Sequence, residues 1–248
     1  MQNLTISLIT VVYNAQNTIN TCIDSVLRQK FNNIQYIIVD GGSTDDTLKI
    51  IESYKDKIQI LISEPDYGIY DAMNKGIQLA TGDVIGTLNA DDYLADENVL
   101  SEVAMAFSSH QFDILYGDLD FIEPNGKIVR KWRSGEYKTG MFNRGWMPPH
   151  PTFYCKRELF ENLGSYKLDY GSAADYELML RFIHLNKKKV FYLNRVIIKM
   201  IIGGVSNKSL SNRVKALGYD LKAMRNNAIL FPVISLILKP MRKIMQFF

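Results

Sequence analysis

Val84-Ile85-Gly86-Thr87-Leu88-Asn89-Ala90-Asp91-Asp92 is the stretch that decides the fold. A short apolar run that breaks into an amide and two carboxylates reads as a buried strand opening into a polar loop. Just before it, Ile69 to Ala80 carries apolar residues at helical spacing and ends at Gly82. The same unit recurs toward the N-terminus. Leu4 to Val12 is a strand, and Thr18 to Gln29 places Ile19, Cys22, Ile23, Val26 and Leu27 on one helical face. Ile34 to Val39 is a second strand, and Ser43-Thr44-Asp45-Asp46 opens a helix that continues through Leu48, Ile50 and Ile51. Ile58 to Ile62 is the third strand, so Val84 to Leu88 is the fourth. This alternation predicts an α/β fold: a mostly parallel central sheet with helices on both faces.

The second half is less regular. Ile114 to Ile122 is a strand, Pro124-Asn125-Gly126 a turn and Lys127 to Trp132 its hairpin partner. Thr152 to Cys155, Val190 to Leu193 and Val196 to Ile202 read as extended, and Ala174 to Leu185 and Leu210 to Asn226 as helices. No repeat, low-complexity tract or linker interrupts them. One domain over 1–227 followed by a tail over 228–248 is the simplest division. In the tail, Ala228 to Leu238 is apolar but contains Pro232, and it falls short of the about 20 residues needed to span a bilayer. Lys239, Arg242 and Lys243 follow, mixed with Met241, Ile244, Met245, Phe247 and Phe248. That mixture suits an amphipathic segment lying on a membrane surface. The alternative is a terminal helix packed on the domain or on a second subunit, which leaves room for an oligomer. No basic segment with a cleavage site precedes the first strand, so the expected location is cytoplasmic, peripheral to the inner face of the cell membrane.

The bulk numbers agree. With 248 residues, 47% of them apolar, the chain can bury a full core. A net charge of +3 with no basic stripe interleaved with aromatics argues against a nucleic-acid partner. Cys22 and Cys155 lie far apart in apolar surroundings and read as two free buried thiols.

In open α/β sheets ligands bind at the carboxyl ends of the strands. Polar clusters fall at all four: Tyr13-Asn14, Asp40-Gly41-Gly42, Glu64-Pro65-Asp66 and Asn89-Ala90-Asp91-Asp92. Asp40 can accept hydrogen bonds from a base or ribose, while Gly41 and Gly42 allow a ligand close to the backbone; Asp-Gly-Gly also makes ordinary turns. Asp91 and Asp92 offer oxygens to Mg²⁺ or Mn²⁺, which would neutralise a departing diphosphate. The competing reading is a cap for the helix over Val99 to Phe107. Asp175, within Ala173-Ala174-Asp175-Tyr176-Glu177 and after Tyr170-Gly171-Ser172, suits a general base at the mouth of a helix. Its competing reading is a carboxylate that favours a helix dipole.

Taken together, the motifs resemble a known family. Ser7-Leu8-Ile9-Thr10-Val11-Val12-Tyr13-Asn14, Val39-Asp40-Gly41-Gly42-Ser43-Thr44-Asp45, Ser63-Glu64-Pro65-Asp66-Tyr67-Gly68-Ile69-Tyr70-Asp71-Ala72-Met73-Asn74-Lys75-Gly76 and Asn89-Ala90-Asp91-Asp92 stand in the order and spacing of the family 2 glycosyltransferases of bacterial polysaccharide synthesis. The resemblance covers roughly residues 4 to 205. It implies a GT-A fold, with a nucleotide-sugar half over about 1–95 and an acceptor half over about 96–227. By resemblance, Thr10, Val12 and Tyr13 would line the base pocket and Asp40 with Gly41 would hold the base. Asp66 would sit by the nucleotide, with Asn74 and Lys75 near the donor. Asn89-Ala90-Asp91 would be the Asp-X-Asp motif: Asp91 the metal ligand, Asn89 near the ribose and Asp92 in support. Asp175 matches the catalytic base. Two positions depart from the pattern: Asn89 replaces a carboxylate, and Tyr67 stands where many relatives carry a lysine.

Softer candidates for donor phosphate or acceptor are His150 in Pro148-Pro149-His150-Pro151, Ser206 in Gly203-Gly204-Val205-Ser206, and Trp146, with Trp132 beside it as a sugar-stacking or core residue. The expected activity is hexosyl transfer (EC 2.4) from a nucleotide-diphosphate sugar, UDP-sugar by the family's habit, to a saccharide that is free or lipid-linked, as in O-antigen or capsule synthesis. Two other readings compete. A nucleotidyltransferase would want a glycine-rich basic loop after the first strand, and Val11-Val12-Tyr13-Asn14-Ala15 offers none. An inactive nucleotide-sugar-binding scaffold would lack Asp91 or Asp175, and both are present.

Overall fold

The computed structural model describes residues 4–202, 210–244 and 246. The alternating half forms as its pattern requires. Strands β1 (Ile6–Val12), β2 (Ile34–Asp40), β3 (Ile60–Ser63) and β4 (Val84–Asn89) alternate with helices α1 (Ile19–Leu27), α2 (Thr47–Glu52) and α3 (Ile69–Leu79). Their order is β3-β2-β1-β4, all parallel, with Val12 beside Asp40 and Val11 beside Asn89. This register brings the polar strand ends level along one edge.

Successive β1 side chains enter opposite cores, as period-2 geometry demands. Ile6, Leu8 and Val12 pack with α1 and with α4 (Val99–Ser109), whereas Ile9 and Val11 pack with α3. Helices therefore cover both faces, and Cys22 and Cys155 are buried free thiols.

Beyond β4 the sheet becomes mixed. The short β5 (Asp92–Leu94), then β6 (Ile114–Ile122), β7 (Ile128–Trp132), β8 (Tyr154–Lys156) and β9 (Val190–Ile201) continue it as β4-β8-β6-β9-β5, with β7 on β6. The two extended segments expected near the end are one 12-residue strand, β9. Its register against β6 shifts around Asp118, which absorbs the break in the apolar pattern. Helix α5 (Arg157–Leu163) follows β8, and α6 (Ala174–Met179) passes into a single π turn over Leu180–Leu185 where one uniform helix was expected.

The chain ends in α7 (Leu210–Asn226) and α8 (Pro232–Ile244). The boundary expected at 227/228 does not separate two bodies. Ile229 belongs to the main core, and Ser235 is fully buried, its hydroxyl donating to the Asn143 carbonyl at 2.7 Å. Lys239 of α8 pairs with Asp220 of α7 at 2.7 Å. The opposite face of this segment exposes Leu230, Phe231, Val233, Ile234, Ile237 and Met241. The tail is thus a helix packed on the domain that also presents an apolar face outward. Among the described residues no helix is long and apolar enough to cross a membrane.

Candidate active site

Asp40, at the end of β2, is wholly buried. Ser43 donates to it from both backbone N–H and hydroxyl, and the Ser63 hydroxyl donates at 2.7 Å. The Gly41 N–H donates to the Val12 carbonyl at 2.9 Å, and the Asn14 N–H donates to the Ser43 hydroxyl at 2.8 Å. Asp40 therefore ties the ends of β1, β2 and β3 into one rim. A Cβ on Gly41 would lie 2.4 Å from an Asp66 carboxylate oxygen. The room made by this glycine is filled by Asp66, not held open for a ligand. Asp66 in turn accepts the Gly68 N–H at 2.7 Å at the entrance to α3.

Several residues expected at the pocket wall lie beneath it. Thr10 is fully buried, its hydroxyl 3.1 Å from the Tyr36 hydroxyl, and the Val12 side chain is buried on the same face of β1. Both alternate inward toward α1, and only Tyr13, past the strand end, is exposed. Both ends of the Asn74 amide are taken by the Tyr166 backbone, at 2.8 and 2.9 Å. Lys75 donates to the Pro65 carbonyl at 2.9 Å and pairs with Glu64 at 2.8 Å, so it braces the loop before α3. Trp146 is buried and donates its indole N–H to the Ser134 carbonyl at 3.0 Å, which leaves no ring face for a sugar. Ser206 lies outside the described residues.

At the end of β4 the carboxylates are not helix caps, because Asn98 holds the N-cap of α4 and Asp92 instead opens β5. The Asn89 amide donates to one Asp92 oxygen at 2.9 Å. The other Asp92 oxygen is buried and has no hydrogen-bond partner among the described residues. Burial, reinforced by the neighbouring Asp91 charge, pushes the Asp92 carboxyl well above the usual carboxylate range, and burial also raises Asp91. Two adjacent, desolvated carboxylates short of positive charge fit a hard divalent cation. Among the described residues no cluster of three or more His, Cys, Asp or Glu could hold a metal unaided. A cation here would thus complete its coordination with diphosphate oxygens and water, the usual arrangement for Mg²⁺.

Asp175 stands half-buried in the first turn of α6. The preceding turn, Leu168–Ala173, is held from behind by α7. Tyr219 packs where a Cβ on Gly171 would fall, Lys222 pairs with Asp169 at 2.6 Å, and the Asn226 amide donates to the Tyr170 hydroxyl at 2.8 Å. Gly171, at φ 47°, makes the bend that turns the chain into α6. Around Asp175 stand three residues whose own protonation feels its charge: Tyr70, His150 and Tyr166. The Tyr70 hydroxyl donates to the carbonyl of Ser172, in the turn before α6, at 3.5 Å. His150 and the Tyr166 hydroxyl share a hydrogen bond of 2.7 Å. Burial lowers the His150 pKa and holds the ring neutral, against the pull of Asp175. Tyr70 and Tyr166 were not expected here. Tyr70 was legible in principle, four residues before Asn74 and so on the same face of α3. Tyr166 carried no sequence signal, because its place depends on the long-range Asn74 clamp.

Residues 7–166 match the sequence profile of Glycosyl transferase family 2. A "PGL/p-HBAD biosynthesis glycosyltransferase" of Mycobacterium bovis is 32% identical over 206 residues, spanning 81% of this chain and 78% of that protein. Among solved structures, TarS of S. aureus in complex with UDP superposes with TM-score 0.69 at 20% identity, over 90% of this chain and 66% of that one. The mannosyltransferase PcManGT of Pyrobaculum calidifontis, in complex with GDP-Man and Mn²⁺, superposes with TM-score 0.68 at 16% identity, over 96% of this chain and 72% of that one. The chain thus shares the GT-A fold of these structures and belongs to glycosyl transferase family 2.

Proposed function

We propose that the protein is an inverting hexosyltransferase that moves a sugar from a nucleotide-diphosphate donor, a UDP-sugar in our reading, to a saccharide hydroxyl. The observation that carries this is the Asp91–Asp92 pair, with a buried oxygen that has no partner among the described residues, at the strand edge where a donor diphosphate would lie. Asp91 would hold Mn²⁺ or Mg²⁺, with Asp92 beside it and Asn89 fixing Asp92. The bound cation supplies Lewis-acid neutralisation of the leaving diphosphate. Asp175 takes the proton of the acceptor hydroxyl. That oxygen bonds to the anomeric carbon as the bond to phosphate breaks, and its electron pair leaves with the nucleoside diphosphate. A neutral His150 adds no positive charge that would pair off the base. Asp40 and Asp66 shape the nucleotide rim, with Tyr13 on its open side.

Complexes of the structural neighbours with UDP and with GDP-Man and Mn²⁺ support the donor class. The outward apolar face of α8 supports a lipid-linked acceptor met at the inner membrane surface. A thermal-shift panel of UDP, UDP-sugars and GDP-mannose with Mn²⁺ or Mg²⁺ tests this. A ligand at 100 times its Kd adds about 2.7 kcal/mol to apparent stability. A metal-dependent shift that Asp91→Ala abolishes is expected. No shift with any nucleotide, or an equal shift in that variant, contradicts the reading.

A further inference from the structure

A second cavity, of about 450 Å³, lies between β7 and α8 and shares no wall with the four strand ends. Among the described residues four cations line it, Lys131, Arg133, Lys239 and Arg242, and no carboxylate does. Two of them are already compensated: Arg133 by Asp120 at 2.7 Å and Lys239 by Asp220 at 2.7 Å. Lys131 and Arg242 are exposed and enter no ion pair among the described residues. Like charges gathered at one mouth repel, and an anion relieves that repulsion. Much of the remaining wall is apolar, with Trp132, Met141 and Met147 half-buried. Two uncompensated positive charges beside an apolar wall match a group that carries about two negative charges and is joined to a hydrocarbon chain.

We propose that this cavity binds the phosphorylated end of an amphiphile. The phosphate or diphosphate sits against Lys131 and Arg242, and the first part of the chain lies against Trp132, Met141 and Met147. Arginine gives planar, bidentate phosphate contacts and lysine a mobile point charge, so the pair can grip either phosphate form. The cavity touches the element that carries Asp175: Lys239, in its wall, lies 3.7 Å from the ring centroid of Tyr176, the next residue. That this amphiphile is the acceptor rests on the transferase reading; the binding itself does not.

The test is calorimetric titration of the full chain without metal, using inorganic pyrophosphate, and dodecyl phosphate and dodecyl maltoside below their micellar concentrations. Wild type and Lys131→Ala/Arg242→Ala are compared, and a shared melting temperature establishes that both are folded. Dodecyl phosphate is expected to bind wild type and to lose about tenfold or more in the double variant, as loss of charged hydrogen bonds implies. Pyrophosphate should bind more weakly with the same loss, and dodecyl maltoside should not distinguish the two proteins. Equal dodecyl phosphate affinity in both proteins overturns the proposal. Pyrophosphate binding as tight as dodecyl phosphate overturns the amphiphile and leaves a site for free phosphate. UDP affinity with Mn²⁺, measured separately, reports on the transferase reading alone.

Discussion

Gly41 and Asp66 behave as one unit, although they are far apart in the sequence. Any side chain at 41 would collide with the Asp66 carboxylate at 2.4 Å. Gly41→Ala should cost about 1–3 kcal/mol of stability, as overpacking does, and almost nothing in an Asp66→Ala background. A double-mutant cycle in urea measures the coupling, and additive costs would contradict it. Residue type and position single out Asp40, Asp91 and Asp175 as candidates, because carboxylates at strand or helix ends stand out. They do not say which way a side chain turns. Thr10 and Val12 share a face of β1, and only the packing of α1 shows that this face is the core. Asn74 looks like a ligand residue in sequence and acts as a backbone clamp in the fold.

Elements were legible wherever period and punctuation agreed, as in β6 and α7, whose bounds the sequence reading matched. Short or irregular pieces were not. The three-residue β5 is held by pairing with β9, a long-range contact that no local pattern encodes. The π turn after α6 accompanies a buried ion pair of Glu177 with Arg181 at 2.9 Å. Arg181 also donates to the carbonyls of Leu163, Gly164 and Ser165, fixing the segment that leads to Tyr166 and hence to the surroundings of Asp175. Arg181→Ala leaves a buried carboxylate and three carbonyls short of a donor. Its expected cost is about 3–5 kcal/mol, the usual result of breaking a buried pair from one side. A shift in the urea midpoint at unchanged slope measures it; a loss below about 1 kcal/mol would show that Lys167, 3.4 Å from Glu177, suffices.

At the scale of the molecule, one edge of a parallel half-sheet gathers the polar strand-end rim, and a mixed half with α6 and α7 brings up Asp175 from far along the chain. The parallel direction of the strands in the first half followed from β-α alternation. The second half did not, because antiparallel β8 inserts between β4 and β6. The tail proved to be packed and amphipathic at once, so truncating it would uncover core. Substituting its outward face is the cleaner probe. Ile234→Glu with Ile237→Glu, at side chains 54% and 59% exposed, should leave the melting temperature unchanged and reduce sedimentation with anionic vesicles; undiminished sedimentation would contradict membrane contact through α8. The central claim is that Asp175 is the base and the strand-end rim is the donor site, two separable parts. The direct measurement is Asp175→Asn, assayed for sugar transfer and for UDP affinity with Mn²⁺. The expected result is a fall in turnover of about 10²–10⁴-fold, the usual contribution of a general base, with UDP affinity unchanged. Turnover within a few-fold of wild type would contradict it.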